Sequence, residues 1–228
     1  MEYFQPLLSS TRLDIDGHEE RLRQNAIKGL LQEEADFVQS CQHGIQLFSR
    51  PLRVLISAEE RTALFQNLEK IVAMTEFRLE KLHSSASASA PSAHPRQDGF
   101  IDAPGKTYRS MLELFLSSFE TYCMKFHEAR MMLERLLHGN GNFTAYVGEC
   151  LKSDEENDIE VFISRPVEHF DRLIEALRRI FLLTPDTHHD YHDLSVVVTA
   201  ASKAMDRILA AAPRPTGLTS YPTLPQKD

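Results

Sequence analysis

From His18 to Ser49 the chain contains no proline, and its apolar residues return at every seventh position along two adjoining seams. One seam reads Ile27, Glu34, Cys41, Phe48. The other reads Leu31, Val38, Ile45, Leu52. Seven residues are close to two helical turns, so each seam stays on one side of a helix and must be buried against other helices. Helix-on-helix packing is the architecture this pattern dictates. Glu34 is the one charged member of either seam. Two readings of it stay open. Glu34 sits at the solvated edge of a wide stripe, or it is a charge held out on a docking surface for a partner's N–H or hydroxyl groups.

The rest of the chain continues in the same manner. Residues 1–17, with Pro6 and the Ser9-Ser10-Thr11 cluster, read as an irregular tail before the first helix, which Pro51 ends. Ser57-Ala58-Glu59-Glu60 is a capping box and opens a second helix to about His83. Residues 84–105 begin with a low-complexity Ser/Ala run and read as a mobile loop. A third helix runs from about Lys106 to Leu137 and stops at Gly139-Asn140-Gly141. A short fourth covers about Phe143 to Leu151. A fifth covers about Glu156 to Leu183, with Pro166 as a kink or a late start. The sixth covers about Thr187 to Ala212, and residues 213–228 form a proline-rich extended tail. No stretch alternates with period two. The expectation is an all-α fold, an elongated bundle of about six helices over residues 18–212.

Composition excludes several function classes. The 228 residues carry a net charge of −8, which disfavours nucleic acid as a partner. Cys41, Cys123 and Cys150 form neither a disulfide framework nor a zinc knuckle. There is no long apolar run for a membrane span and no signal-peptide pattern at the N-terminus, so a cytoplasmic chain is expected. Phosphate-loop, GxSxG and CxxC motifs are absent, and no cofactor or covalent chemistry is expected. His188, His189 and His192 with Asp190 and Asp193 resemble a metal cluster. However, no third distant ligand or HExxH glutamate accompanies them, and no metal is expected.

Two helices carry surface features. The fifth presents an apolar face of Ile163, Val167, Phe170, Leu173, Ile174, Leu177 and Phe181. Beside it run Arg165, His169, Arg172, Ala176 and Arg179. That stripe is either a solvated helix face or an electropositive strip that docks an acidic surface. The sixth presents Leu194, Val197, Val198, Ala201, Met205 and Ile208, with small residues that permit close helix approach.

An ordered series of fragments gives the pattern a family. It begins with Ala26-Ile27-Lys28-Gly29-Leu30-Leu31-Gln32-Glu33-Glu34-Ala35-Asp36-Phe37-Val38. Phe48-Ser49-Arg50-Pro51-Leu52 and Leu64-Phe65-Gln66-Asn67-Leu68-Glu69-Lys70-Ile71 follow. Then come Phe119-Glu120-Thr121-Tyr122-Cys123 with Ala129, and Phe143 with Cys150. Ile163-Ser164-Arg165-Pro166-Val167, Thr184-Pro185, His188, Asp190 and Tyr191 close the series. Over about residues 20 to 210 the chain resembles the Dbl homology (DH) domain, a guanine nucleotide exchange factor for Rho-family GTPases. It also identifies the histidine cluster with a turn of that family.

The resemblance implies roles. It places Glu34 at switch I of a Rho-family GTPase and Arg172 at switch II. Arg165, Glu168, His169, Arg179, Met205 and Leu209 complete the expected GTPase-binding set. Three positions depart from the family. Leu209 stands where an asparagine is usual and has no hydrogen-bonding group. Glu168-His169 replaces Gln-Arg, and Leu173 replaces Tyr. The implied activity is promotion of GDP release, with preference for the nucleotide-free GTPase and no covalent step. The alternatives are a degenerate DH domain that binds a GTPase or another protein as a scaffold, and a helical protein that only self-associates. Residues 213–228 are too few for the pleckstrin homology domain that usually follows. Either that companion is absent or the chain is a fragment, and membrane recruitment is expected to come from other proteins, with no direct insertion.

Overall fold

The computed structural model describes residues 6–88, 101–154 and 157–211. Its helices are α1 (Pro6–Gly44), α2 (Ala58–Phe65), α3 (Leu68–Ala88), α4 (Pro104–Ser110), α5 (Leu112–Gly139), α6 (Gly141–Ser153), α7 (Ile159–Leu182) and α8 (Tyr191–Ala211). A π-helical turn over Ile45–Ser49 and a 3-10 turn over Pro51–Val54 link α1 to α2. No strand occurs among the described residues, so the fold class is all-α.

Several boundaries follow from local chemistry. Ser57 caps α2 as its sequence dictates. Its hydroxyl accepts from the Glu60 backbone N–H, and the Glu60 carboxylate accepts from the Ser57 backbone N–H at 2.8 Å. Asn140 separates α5 from α6. Its side-chain oxygen accepts from Phe143 N–H while its amide donates to the Leu55 carbonyl. Asp158 caps α7 by accepting from Glu160 N–H. Pro166 lies inside α7, which begins seven residues ahead of it at Ile159.

Three expectations need correction. The stretch read as an irregular tail is helical from Pro6 onward. Proline is tolerated at the first helical position, where its missing N–H costs no hydrogen bond. The second and third helices are each divided. The first break falls at Gln66, whose φ of 49° and ψ of −127° leave the helical region. The other falls at Met111, with φ of −121° and ψ of 10°. Neither break carries the Gly or Pro that marks a helix end in sequence. Of the Ser/Ala segment, residues 84–88 continue α3 and Pro104 already begins α4. Residues 89–100 and the tail 213–228 lie outside the described residues.

The helices pack around α7, which touches α1, α5 and α8, while α3 packs on α1 and α4 on α8. Gly44 lets α1 come close to α7, because a Cβ there would run into the Phe162 ring. Phe115, Phe119 and Phe170 form an aromatic cluster where α5 meets α7, the last two stacked at 4.9 Å. No helix among the described residues is long and apolar enough to cross a membrane.

Candidate functional site

Glu34 does not lie on the surface. Its side chain is 0% exposed, as is that of Arg78 on α3. Arg78 grips it bidentately, with Nε 3.0 Å from Oε2 and Nη2 2.5 Å from Oε1. The guanidinium also lies over the rings of Tyr108 and Phe115, 4.8 and 5.0 Å from their centroids. From α7, His169 brings its Nε2 to 3.7 Å from Oε1 of Glu34, and its ring stacks on Phe37 at 3.9 Å. The sequence left open a solvated edge or a docking charge, and the structure supplies a third arrangement. A carboxylate that fills an apolar seam is neutralised from the facing helix, because an unpaired buried charge is too costly.

The electrostatics of this chamber agree with its geometry. Burial alone would raise the Glu34 pKa. The Arg78 charge and its two hydrogen bonds, helped by the nearby His169 ring, overcome that and lower it to about 2. Burial lowers the pKa of His169, with Glu34 opposing. Burial also raises the Tyr108 pKa well above its ordinary value. Arg78 Nη1, Tyr108 OH and His169 Nε2 have no hydrogen-bond partner among the described residues.

The surface nearby is a groove between α1 and α7 of about 250 Å³. Asn25, Gly29 and Glu33 line it from α1, and Arg172, Glu175 and Arg179 from α7. Ala176 keeps the α7 side low. Gly29 leaves the α1 side open, since a Cβ there would meet nothing within 4 Å. The exposed carboxylate of the first helix on this groove is therefore Glu33, not Glu34.

The expected GTPase-binding residues divide into three sets, exposed, half-buried and interior. Arg172, Glu168 and Arg179 are exposed on α7, and Arg172 lies 3.7 Å from the Glu168 carboxylate. Glu34 and His169 are interior, which takes His169 out of the basic stripe. The physical reason is its ring stacking on Phe37 and its approach to Glu34. Arg165 is half-buried. Its charge is felt by Cys41, whose thiol burial nonetheless pushes up to about 12. Met205 on α8 is half-buried against the core, and Leu209 is 66% exposed. Leu173, which departs from the family's tyrosine, is fully buried. Ser202 on α8 accepts from Arg178 and donates to the Val198 carbonyl.

Arg78 and Glu33 were not among the expected site residues. Arg78 had a signal, because it interrupts an apolar stripe of Ile71, Met74 and Leu82 just as Glu34 interrupts its own. Glu33 had none beyond lying one residue from Glu34.

The histidine cluster occupies a turn. His188 precedes α8, and its Nδ1 accepts from the Asp190 backbone N–H at 3.1 Å. In the neutral ring that acceptor role puts the proton on Nε2, which faces Asp102 at 3.5 Å. His189 Nε2 approaches the same carboxylate at 3.6 Å, so these three residues bring possible ligand atoms within 4.8 Å of one another. Arg23 ties the turn to α1 by donating to Thr184 Oγ1 and to the Asp102 carbonyl.

Comparison with known proteins gives this architecture its place. The chain is 24% identical over 188 residues to a RhoGEF domain-containing protein, gxcJ, of Dictyostelium discoideum. That alignment covers 82% of the chain and 15% of the relative. It is 23% identical over 180 residues to guanine exchange factor for Rac 30 of the same organism, covering 77% and 10%. The chain thus spans a small fraction of the length of these relatives. Among solved structures it matches the linker-DH/PH domains of p115-RhoGEF with a TM-score of 0.71 and 16% identity, over 85% of this chain and 58% of that one. It matches the DH/PH domain of human ARHGEF11, from a ternary complex with human RhoA and its inhibitor, with a TM-score of 0.72 and 14% identity, over 85% and 54%. Vav1 matches with a TM-score of 0.68 and 16% identity, over 84% and 49%. At these identities the structures speak for the fold. The RhoGEF domain profile matches residues 26–208, from α1 through nearly all of α8, and on that match the chain belongs to the RhoGEF domain family.

Proposed function

We propose that this domain binds a Rho-family small GTPase across the α1/α7 groove and promotes GDP release from it. The observation that carries the reading is the groove itself. An exposed carboxylate, Glu33, and two exposed guanidinium groups, Arg172 and Arg179, line one cleft on the two helices the family uses. Arg165, Glu168, Met205 and Leu209 extend the proposed contact, while Glu34 and His169 support it from beneath. Exchange requires no bond making. It requires tighter binding to the nucleotide-free GTPase than to the loaded one, and the acceleration is limited by that difference. The domain would act in the cytoplasm, brought to membranes by other proteins.

A second reading, a GTPase-binding scaffold without exchange, is favoured by one observation. Leu209 is exposed where the family's asparagine would bond the GTPase, so the most polar of the expected α8 contacts is missing. Release of fluorescent GDP from a panel of Rho- and Rac-type GTPases separates the two. Acceleration that Arg172→Glu abolishes supports exchange. No acceleration by micromolar protein on any member, with nucleotide-free GTPase still captured, supports the scaffold. Failure of both overturns the GTPase reading.

A further inference from the structure

A second groove shares no lining residue with the one between α1 and α7. It is wide, about 880 Å³, and is bounded by α3, the α4–α5 junction and one residue of α8, Val196. Two large apolar side chains stand half-exposed in it, Phe77 at 48% and Leu114 at 46%. Met74 and Met111 lie beside them, and methionine adapts to varied apolar partners.

The charge around this groove is the reverse of the charge on the chain. Lys70, Lys81 and Arg109 line it against one carboxylate, Glu113, in a protein of net charge −8. On α3 the arrangement is regular. Lys70, Ala73, Phe77 and Lys81 follow at steps of three and four and so share one helix face. The two lysines bracket the apolar patch at a separation of about 16 Å, three helical turns. Lys81 lies over the Phe77 ring, its Nζ 4.8 Å from the centroid, and Arg109 is held by an ion pair with Asp193. The two exposed lysines thus stand beside the apolar floor, while the Arg109 charge is already met by Asp193.

We infer that this groove docks an amphipathic helix of a partner protein. Its apolar face would cover Phe77 and Leu114, and acidic residues about three turns apart would meet Lys70 and Lys81. A groove between helices suits a helix, whose ridges fit between those of α3 and α5. Charge complementarity fixes the sign of the partner and guides its encounter, while burial of the two exposed side chains supplies the holding force.

The test is selection of a phage-displayed library of helical peptides, about 16 residues long to span three turns, on the full chain. The peptides' apolar face varies among Leu, Ile, Phe and Met, and their end positions vary among Asp, Glu, Gln and Lys. The expected result is enrichment of peptides acidic at both ends. Their binding should weaken by about tenfold or more for the variant with Lys70→Glu and Lys81→Glu together, and be lost with Phe77→Ser. All three side chains are exposed, Phe77 at 48%, so unchanged helicity and melting confirm that the variants fold. The inference is overturned by any of four outcomes: no enrichment, enrichment of basic or neutral ends, binding indifferent to these substitutions, or self-association of the chain that Phe77→Ser removes. Binding of the free chain to anionic phosphatidylserine vesicles that the lysine reversals abolish would assign the groove to a membrane instead.

Discussion

Arg78 on α3 closes Nε and Nη2 on the two carboxylate oxygens of Glu34 on α1, at 3.0 and 2.5 Å, and neither side chain reaches solvent. Removing one partner leaves the other as an uncompensated buried charge. Glu34→Ala or Arg78→Met is therefore expected to lower unfolding free energy by about 3–5 kcal/mol. Glu34→Leu combined with Arg78→Met should recover most of that loss, because an apolar pair suits the seam. Urea unfolding of the single and double variants checks both statements. If Glu34 instead served a partner directly, Glu34→Ala would remove GTPase binding and leave stability unchanged.

The same chamber predicts a two-step response to acid. The folded pKa of His169 lies below its ordinary 6.5, so the unfolded chain binds that proton first, and stability begins to fall as pH drops below 6.5. The folded pKa of Glu34 is about 2 against an ordinary 4.5. Its contribution is full above 4.5 and is lost as pH falls toward 2, a loss of about 3 kcal/mol in all. Arg78 and Arg172 both oppose protonation of His169, and Glu34 favours it. Melting temperature recorded from pH 8 to pH 2 should show both steps. His169→Gln should remove the upper one and keep the lower.

These residues also mark how far sequence reasoning reaches. The seams of α1, the Ser57 capping box and the oddness of Glu34 are all visible locally, because period and capping are local properties. The partner of Glu34 is not, since Arg78 lies on another helix and only the packing of α1 on α3 brings the two together. His169 shows the same limit. Its spacing from Arg172 fits a basic surface stripe, yet the α1/α7 contact turns it inward onto Phe37. The breaks at Gln66 and Met111 carry no breaker residue, so tertiary packing rather than propensity divides those helices.

Two glycines of α1 should respond in opposite directions to the same substitution. At Gly29 a Cβ meets open space, so Gly29→Ala should stabilise the helix by about 1 kcal/mol. At Gly44 a Cβ runs into the Phe162 ring, and Gly44→Ala should cost about 1–3 kcal/mol through forced repacking of α1 on α7. Thermal melts of the two variants decide the matter, and like signs would show that the helices are not seated as described.

Leu209 offers the most direct test of how activity is limited. It is 66% exposed near the end of α8, so exchanging it for a polar residue removes little packing and should leave the melting temperature unchanged. Asparagine there restores a donor and an acceptor toward the proposed GTPase, and a hydrogen bond made only to the nucleotide-free state accelerates release. Leu209→Asn is therefore expected to raise GDP release by about tenfold, equivalent to roughly 1.4 kcal/mol. The measurement is stopped-flow release of labelled GDP at equal protein concentration. Combining Leu209→Asn with Arg172→Glu should return the rate to the uncatalysed baseline, because a contact on α8 cannot act without the α1/α7 groove being engaged. A gain that survives Arg172→Glu would place the GTPase on a different face of the domain.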